Sequence, residues 1–193
     1  MSEREARNEL ARYCARLWNR ALVRGSSGNV SLRLDDGDLL VTPASASLSD
    51  LRRRQLVRVD PAGKSRNPLQ HPSSELPLHL AAYRARPEIR CVIHTHPTFC
   101  VVWSKTGSLF ARDTVGASES LGTCAWTPYR KNGTQDLAEL CAVEFARGID
   151  IVLMERHGLS VLGATLEDAF LATDQAEEAA RVAYFSRVAG ISA

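Results

Sequence analysis

Apolar residues recur at two spacings along the chain, and the spacing separates predicted helices from predicted strands. Helical spacing is found over residues 3–23, 74–86 and 133–148, and in a long C-terminal segment that Thr165 is expected to cap. The stretch 105–122 has no clear pattern, so no element is predicted there. Alternating or continuous apolar runs predict these strands: "NVSLRL", "LLVT", "QLVRVD", "CVIHT", "DIVLME" and "LSVL".

Turn residues between these segments predict the fold class. "DDGD" lies between two of the strands and predicts a hairpin, whose strands are antiparallel neighbours. Helices alternate with the strands, and no repeat or low-complexity linker divides the chain. The prediction is therefore a single α/β domain over residues 1–193 with a mixed or antiparallel sheet.

Composition narrows the possible surroundings and partners of this domain. The formal net charge of +2, from 24 basic and 22 acidic residues, argues against a nucleic-acid surface. Apolar runs are too short to cross a membrane, and the N-terminus lacks the apolar core of a signal peptide. The five cysteines are scattered without a CxxC pair, which is typical of a reducing compartment. We expect a soluble cytoplasmic protein with no nucleic-acid or membrane partner.

Two histidines lie one residue apart in the strand segment "CVIHTHPTF". Side chains at i and i+2 of a strand share a face, so His94 and His96 project together and suit one metal ion. A pair of core or surface histidines is the other interpretation. His157 follows the strand "DIVLM", with Gly158 allowing a close backbone approach or a positive φ. Three histidines would leave a coordination position open, as in catalytic zinc sites.

Glu75, in "PSSE", is the candidate acid–base group, and it lies at a predicted helix start. Two interpretations are open, since a carboxylate in a first helical turn is also ordinary capping. In the capping interpretation Ser74 is the predicted N-cap. His79 lies one turn further on and is expected to be structural or to support the site, whereas His71 is expected to be solvated.

Three loops are rich in glycine or serine: "GSSGN", "TPASAS" and "PSSE". None matches a P-loop or a dinucleotide fingerprint, and each alone is typical of a turn. Together, beside a metal site, they would form an anion pocket for a small phosphorylated substrate.

Five motifs together resemble the class II aldolase/adducin family in order and in spacing. They are "GSSGNVSLR", "LLVTPAS", "PSSELPLHLAAYRARP", "VIHTHP" and "ERHGLSVLG", and the resemblance covers nearly the whole chain. It implies a single three-layer α/β/α domain around a mostly antiparallel central sheet. It also implies a homotetramer with active sites at the subunit interfaces.

The resemblance further implies the roles of the candidate residues. His94, His96 and His157 would hold Zn²⁺, or another divalent ion such as Mn²⁺ or Co²⁺, and Glu75 would be the acid–base. The implied reaction is aldol cleavage of a ketose 1-phosphate, through a metal-stabilised enediolate, to dihydroxyacetone phosphate and an aldehyde. The residues implied to bind the phosphate or substrate are Ser26, Asn29, Ser45, Ser73 and Ser74.

Three departures from the family pattern affect the expected substrate. Ser45 stands where the family has glycine, so its hydroxyl could donate to the anion or its Cβ could crowd it. No tyrosine lies near Thr114, where the aldolases supply one from a neighbouring subunit, and Asp113 or Glu119 is a candidate replacement there. The chain ends at Ala193, so the aldolases' mobile C-terminal tail is expected to be absent.

These departures keep other reactions open on the same scaffold. The alternatives are a sugar-phosphate dehydratase, a 4-epimerase and a decarboxylase of a 3-oxo-acid phosphate. A further hypothesis is an adducin-like binding module without catalysis. Such modules typically lose the metal histidines, whereas this chain has all three.

Overall fold

The computed structural model describes residues 1–111 and 114–191. Its helices are α1 (Glu3–Asn19), α2 (Leu76–Ala85), α3 (Thr98–Ser104), α4 (Val115–Ser120), α5 (Gln135–Ala146) and α6 (Leu166–Val188), with a 3₁₀ turn at Arg53–Gln55. Its strands are β1 (Asn29–Arg33), β2 (Leu39–Val41), β3 (Val57–Val59), β4 (Cys91–Thr95), β5 (Cys124–Thr127), β6 (Ile151–Met154) and β7 (Gly158–Gly163).

The strands form one seven-stranded sheet in the order β3-β2-β1-β4-β7-β6-β5. Neighbouring strands are antiparallel except β5 and β6, which are parallel. The predicted α/β fold with a mostly antiparallel sheet is confirmed. β4, which carries His94, lies in the middle of the sheet with β1 on one side and β7 on the other.

The core has two halves, one on each face of the sheet. Alternate residues of β4 point to opposite faces, so Ile93 packs with α1, α3, α4 and α6, whereas Val92 packs with α2 and α5. The result is three layers, helix on sheet on helix, as the resemblance implies. Among the described residues no helix is long and apolar enough to cross a membrane.

Several predicted boundaries are wrong, and local geometry explains them. α1 ends at Asn19, because Ala21 takes a left-handed backbone with φ +58° that closes the helix. Ser74 does not cap α2, which begins at Leu76; instead the Ser73 Oγ accepts a hydrogen bond from the Glu75 N–H over 3.2 Å. The short helix α4 lies inside the stretch where no element was predicted. The predicted cap of α6 is confirmed, since the Thr165 side chain accepts from the Asp168 N–H.

Candidate metal centre and substrate site

The three candidate metal ligands lie together at one end of the central strands. His94 and His96 come from β4 and the residues just after it, and His157 comes from the turn between β6 and β7. β7 pairs with both β4 and β6, which brings that turn beside the end of β4. The ring centroids are 4.8 to 4.9 Å apart, and the ligand nitrogens all lie within 4.8 Å of one another.

Hydrogen bonds of the rings show how the lone pairs are arranged. The Nδ1 of His94 lies 3.1 Å from the Leu159 carbonyl oxygen, which can only accept. Nδ1 therefore carries the proton, and Nε2 carries the lone pair. That Nε2 is 2.9 Å from the Nε2 of His96. The Nδ1 of His157 is buried and has no hydrogen-bond partner among the described residues. A buried polar atom left without a partner is costly, and a bound cation would offset that cost.

Burial keeps all three rings neutral at neutral pH. It lowers the pKa of His94 well below the usual value, helped by the neighbouring histidines, and it lowers the pKa of His96. The pKa of His157 falls to about 4, through burial first and the nearby His96 second. Only neutral imidazole binds a metal, so this donor set fits a divalent cation that accepts histidine nitrogen, such as Zn²⁺.

The turn that carries His157 is held from two sides. The N–H of Arg156 donates to the Ser104 Oγ at the end of α3 over 2.9 Å, and Arg156 itself has a left-handed φ of +56°. Gly158 does not have a positive φ; it is required by close approach instead. A Cβ at Gly158 would collide with the Thr95 carbonyl oxygen and would lie 2.7 Å from the His96 Cδ2.

Glu75 lies immediately before α2 and is 5% exposed. Its Oε2 is buried without a hydrogen-bond partner among the described residues. Burial raises the pKa of Glu75, while hydrogen bonds from the Gly133 N–H and the Asn132 side chain oppose that shift. Among the described residues, the hydrogen bonds of this carboxylate are with the turn before α5, and none of them joins it to the three histidines.

The three glycine- and serine-rich loops meet at the same end of the sheet. Asn29 is the Cα partner of His94, so the first loop leads directly to the candidate metal ligands. The N–H of Val30 donates to the Thr42 Oγ1 over 3.1 Å, and the N–H of Ser73 donates to the Thr42 carbonyl over 3.0 Å. These bonds join the second and third loops to β1. The sheet thus brings together loops that are separated along the sequence.

The individual loop residues differ in exposure. Asn29 and Ser73 are buried, whereas Ser26, Ser45 and Ser74 are exposed. Ser45 has φ +57°, a conformation that favours glycine, the residue that the family resemblance implies at this position. A Cβ at Gly28, just before Asn29, would collide with the Val23 side chain and approach the His94 carbonyl to 3.1 Å.

The two residues expected from a neighbouring subunit lie in or beside the weakly patterned stretch. Thr114 is the N-cap of α4, where its hydroxyl accepts from the Ala117 N–H over 3.2 Å. Asp113 lies outside the described residues. Sequence reasoning missed Asn132, Gly133 and Ser104, since their contacts with the site bridge distant parts of the chain; the turn signal "KNGT" was the only local sign of the first two.

The sheet, its two helical layers and the three-histidine cluster define the class, an α/β/α domain whose histidine cluster fits a divalent cation and lies beside three glycine- and serine-rich loops. The model of the class II aldolase and adducin N-terminal domain matches residues 8–184, and the chain belongs to that family.

Relatives with two different activities match nearly the whole chain. The L-fuculose phosphate aldolase of Methanococcus vannielii is 33% identical over 174 residues, 90% of this chain and 93% of that protein. The 3-oxo-tetronate 4-phosphate decarboxylase of Escherichia coli K12 is 31% identical over 191 residues, 94% of this chain and 87% of that protein. The crystal structure of YgbL from Escherichia coli, described as a candidate aldolase, epimerase or decarboxylase, has a TM-score of 0.88 and 30% identity, covering 95% of this chain and 90% of that one.

Proposed function

We propose that the protein is a zinc-dependent lyase that cleaves a ketose 1-phosphate into dihydroxyacetone phosphate and an aldehyde. The observation that carries this proposal is the convergence of three neutral histidines with three glycine- and serine-rich loops at one edge of the sheet. A divalent cation bound there would supply Lewis acidity toward a carbonyl oxygen of the substrate. His94, His96 and His157 would hold that cation.

Glu75 is proposed to remove and return the proton on the carbon next to the carbonyl. A raised pKa brings a carboxylate closer to the working pH and makes it a better base and a better acid for this step. The buried and unpartnered Oε2 is the atom proposed to take the proton. Asn132 and Gly133 hold the carboxylate in one orientation without using that oxygen.

The loops are proposed to bind the phosphate. A phosphate needs donors, and the loops offer serine hydroxyls, backbone N–H groups and the amide of Asn29, whose Cα partner is His94. The high exposure of three of the serines would leave their hydroxyls accessible to a ligand. The residues proposed for this pocket are Ser26, Asn29, Ser45, Ser73 and Ser74.

The assembly is proposed to be a cytoplasmic homotetramer with active sites at the subunit interfaces, to which Asp113 and Thr114 of a neighbouring copy would contribute. Sedimentation equilibrium of the full chain tests this proposal. A mass of four chains supports it, and a monomer at micromolar concentration contradicts it.

The decisive experiment is proton exchange on dihydroxyacetone phosphate in D₂O, followed by NMR, with zinc-loaded protein and no aldehyde. We expect one hydroxymethyl proton to exchange stereospecifically, and we expect no exchange with unphosphorylated dihydroxyacetone or with Glu75→Gln. This half-reaction does not involve the aldehyde side, where the family's tyrosine is missing. Lack of exchange by protein that holds zinc would contradict the aldolase proposal.

A second candidate is decarboxylation of a 3-oxo-acid phosphate on the same residues. The decarboxylase relative favours it, as does the lack of a tyrosine near Thr114. Both reactions break a carbon–carbon bond next to a carbonyl and leave electron density that the same cation would stabilise. Release of CO₂ from 3-oxo-tetronate 4-phosphate without exchange on dihydroxyacetone phosphate would support this candidate. The dehydratase and epimerase alternatives predict neither result.

A further inference from the structure

A chain of four polar side chains runs from the interior to the candidate phosphate pocket. The Tyr83 hydroxyl is 2.8 Å from the Ser31 Oγ, and the Ser31 Oγ is 2.7 Å from the His79 Nδ1. The His79 Nε2 is in turn 2.5 Å from the Asn29 Oδ1. Ser31 and His79 are fully buried, so these groups depend on one another for hydrogen bonds.

The hydrogen bonds along this series of side chains can run in either of two directions, which are two forms of the site. Burial lowers the pKa of His79 to about 3, so the ring is neutral and carries one N–H. If Nε2 carries it, His79 donates to the Asn29 Oδ1 and accepts from Ser31. If Nδ1 carries it, every bond reverses, and the Asn29 amide must rotate so that its nitrogen donates to His79.

The hydrogen bonds of Tyr83, at the buried end of this series of side chains, decide between the two forms. In the reversed form the buried Ser31 proton needs the Tyr83 oxygen as its acceptor, so Tyr83 must give its own proton to the Arg90 carbonyl, which is 3.4 Å away. In the first form Tyr83 donates to Ser31 over 2.8 Å. Hydroxyl hydrogen bonds are strongest near ~2.7–2.8 Å, so the first form is preferred. The Asn29 amide nitrogen forms no hydrogen bond among the described residues. It then remains available as a donor.

We propose that His79 is a positioning residue that fixes Asn29 with its amide nitrogen, and not its carbonyl oxygen, presented to the substrate phosphate. This inference rests on the proposed function, in which Asn29 binds that phosphate. A nitrogen donor attracts an anion, whereas the reversed form would present an oxygen with a partial negative charge. The three inner side chains thereby set the charge preference of a pocket in which Asn29 alone among the four is proposed to bind the phosphate.

Two substitutions at one position separate this role from ordinary core packing. In His79→Gln the longer side chain can place an amide donor near the former Nε2 and keep the bond to Asn29. In His79→Asn the amide lies near the former Nδ1 and keeps only the bond to Ser31. The measurement is calorimetric affinity of the zinc-loaded protein for inorganic phosphate and dihydroxyacetone phosphate. We expect a loss of about tenfold or more for His79→Asn, and near-normal affinity for His79→Gln.

An NMR measurement tests the tautomer without any ligand. Nitrogen-15 shifts of the wild-type His79 ring should report a proton on Nε2, and a proton on Nδ1 would overturn the proposal. Equal losses of affinity in the two variants, at unchanged zinc content, would also overturn it.

Asn29→Ala distinguishes this inference from the proposed function. If Asn29→Ala leaves phosphate affinity unchanged, the role of Asn29 in the pocket is wrong, and the positioning proposal is overturned with it. If Asn29→Ala weakens binding and His79→Asn does not, only the positioning role of His79 fails. Loss of phosphate binding in Asn29→Ala and in His79→Asn, with binding retained in His79→Gln, supports the proposal.

Discussion

Gly158, which follows His157, lies too close to the end of β4 to accept a Cβ. Adding a Cβ there forces a collision with the Thr95 carbonyl oxygen and crowds the His96 ring, and the backbone cannot yield without disturbing the pairing of β4 with β7. We expect Gly158→Ala to lower the free energy of unfolding by about 1–3 kcal/mol and to weaken zinc binding.

The matched control for this substitution is Gly25→Ala. Gly25 has a positive φ but nothing within 4 Å of an added Cβ, so its variant reports conformational strain alone. We expect it to lose about 1–2 kcal/mol and to retain zinc affinity. Urea unfolding and zinc titration measure both quantities, and equal zinc affinity in the two variants would contradict the crowding argument.

Glu75→Gln separates catalysis from capping. A capping carboxylate would contribute stability, whereas a buried carboxylate with a raised pKa opposes folding once it is ionised. The sign follows from linkage: with the folded pKa raised, the contribution of Glu75 to stability is fully present below the usual value of 4.5 and is lost as pH rises through the folded value. We therefore expect Glu75→Gln to be at least as stable as the wild type at pH 7. Turnover should fall by about 10²–10⁴-fold with normal zinc content.

The candidate ligands could be predicted from local sequence, whereas much of their surroundings could not. His94 and His96 share a strand face because of a period of two, and His157 follows an apolar strand, so both signals are local. The partners of Glu75 are Asn132 and Gly133, more than fifty positions away along the printed sequence. Contacts of this kind depend on which helices become neighbours, and no periodicity encodes them.

At the scale of elements, α3 depends on a carboxylate from another helix. The side chain of Glu177 in α6 accepts hydrogen bonds from the N–H groups of Phe99 and Cys100, each over 2.9 Å. These groups belong to the first turn of α3 and have no partner within their own helix. Because α3 follows His96 after one proline, this contact steadies the segment that carries the second candidate metal ligand.

We expect Glu177→Ala to destabilise the protein by about 1–2 kcal/mol and to speed amide hydrogen exchange at Phe99 and Cys100. The matched control is Glu178→Ala, its neighbour on α6, whose carboxylate forms an exposed pair with Arg181. That control should change stability little. Hydrogen exchange followed by NMR would contradict the capping role if the two variants gave the same rates at α3.

The edge of the sheet is held by an ion cluster around Asp38, a residue between β1 and β2. Its carboxylate accepts from the Arg58 Nε over 2.7 Å and from Arg66 over 2.7 and 2.9 Å. These bonds lower the pKa of Asp38, that from Arg66 most and that from Arg58 next. The stability they provide is present above the usual value of 3.8 and is lost as pH falls through the folded value.

Asp38→Asn should therefore be destabilised at pH 7 by about 1 kcal/mol or more, since Arg58 and Arg66 lose their charged acceptor. The partial exposure of both arginines limits the loss, because solvent screens their charges. The difference from the wild type should shrink below pH 3.8. Urea unfolding of both proteins between pH 7 and pH 3 measures it. If the difference in the free energy of unfolding stayed constant from pH 7 to pH 3, the ionised carboxylate would not be its source.

Most helices and strands were predictable because their apolar periodicity extends over several turns or alternations. α4 was not, because its six residues, "VGASES", have one large apolar side chain and a glycine. α4 forms because Thr114 caps it and because Ala117 is buried against the core of that face. Helix α4 therefore forms through its cap and its tertiary packing, although its local helix propensity is weak.

For the whole molecule, the order of the strands lay beyond the sequence patterns. The hairpin turn "DDGD" predicted that β1 and β2 are neighbours, whereas the pairings of β4 with β1 and β7 join parts of the chain far apart in sequence. Those two pairings build the site, since they place Asn29 and the His157 turn on either side of His94. The family resemblance, through five motifs that are individually weak, implied a mostly antiparallel sheet and a shared site for these residues, but not this strand order.

Removal of the metal tests whether the site is preformed by the fold. His94 is fixed by strand pairing on both sides, to Asn29 and to Ser160, and its ring is held by the Leu159 carbonyl. None of these bonds requires a cation. We therefore expect a chelator to abolish activity while the far-ultraviolet circular dichroism stays unchanged, and re-addition of zinc to restore activity at once.

The stability of the metal-free protein should follow mass action. Zinc at ~100 times its dissociation constant adds about 2.7 kcal/mol to the free energy of unfolding, and the chelator should remove that amount. His157→Ala should bind zinc weakly and respond little to the chelator, whereas the control His71→Ala, in an exposed loop outside the cluster, should behave as the wild type. Unfolding of the wild type on chelation would mean that the cation organises the histidines, because a site preformed by strand pairing keeps its fold when empty.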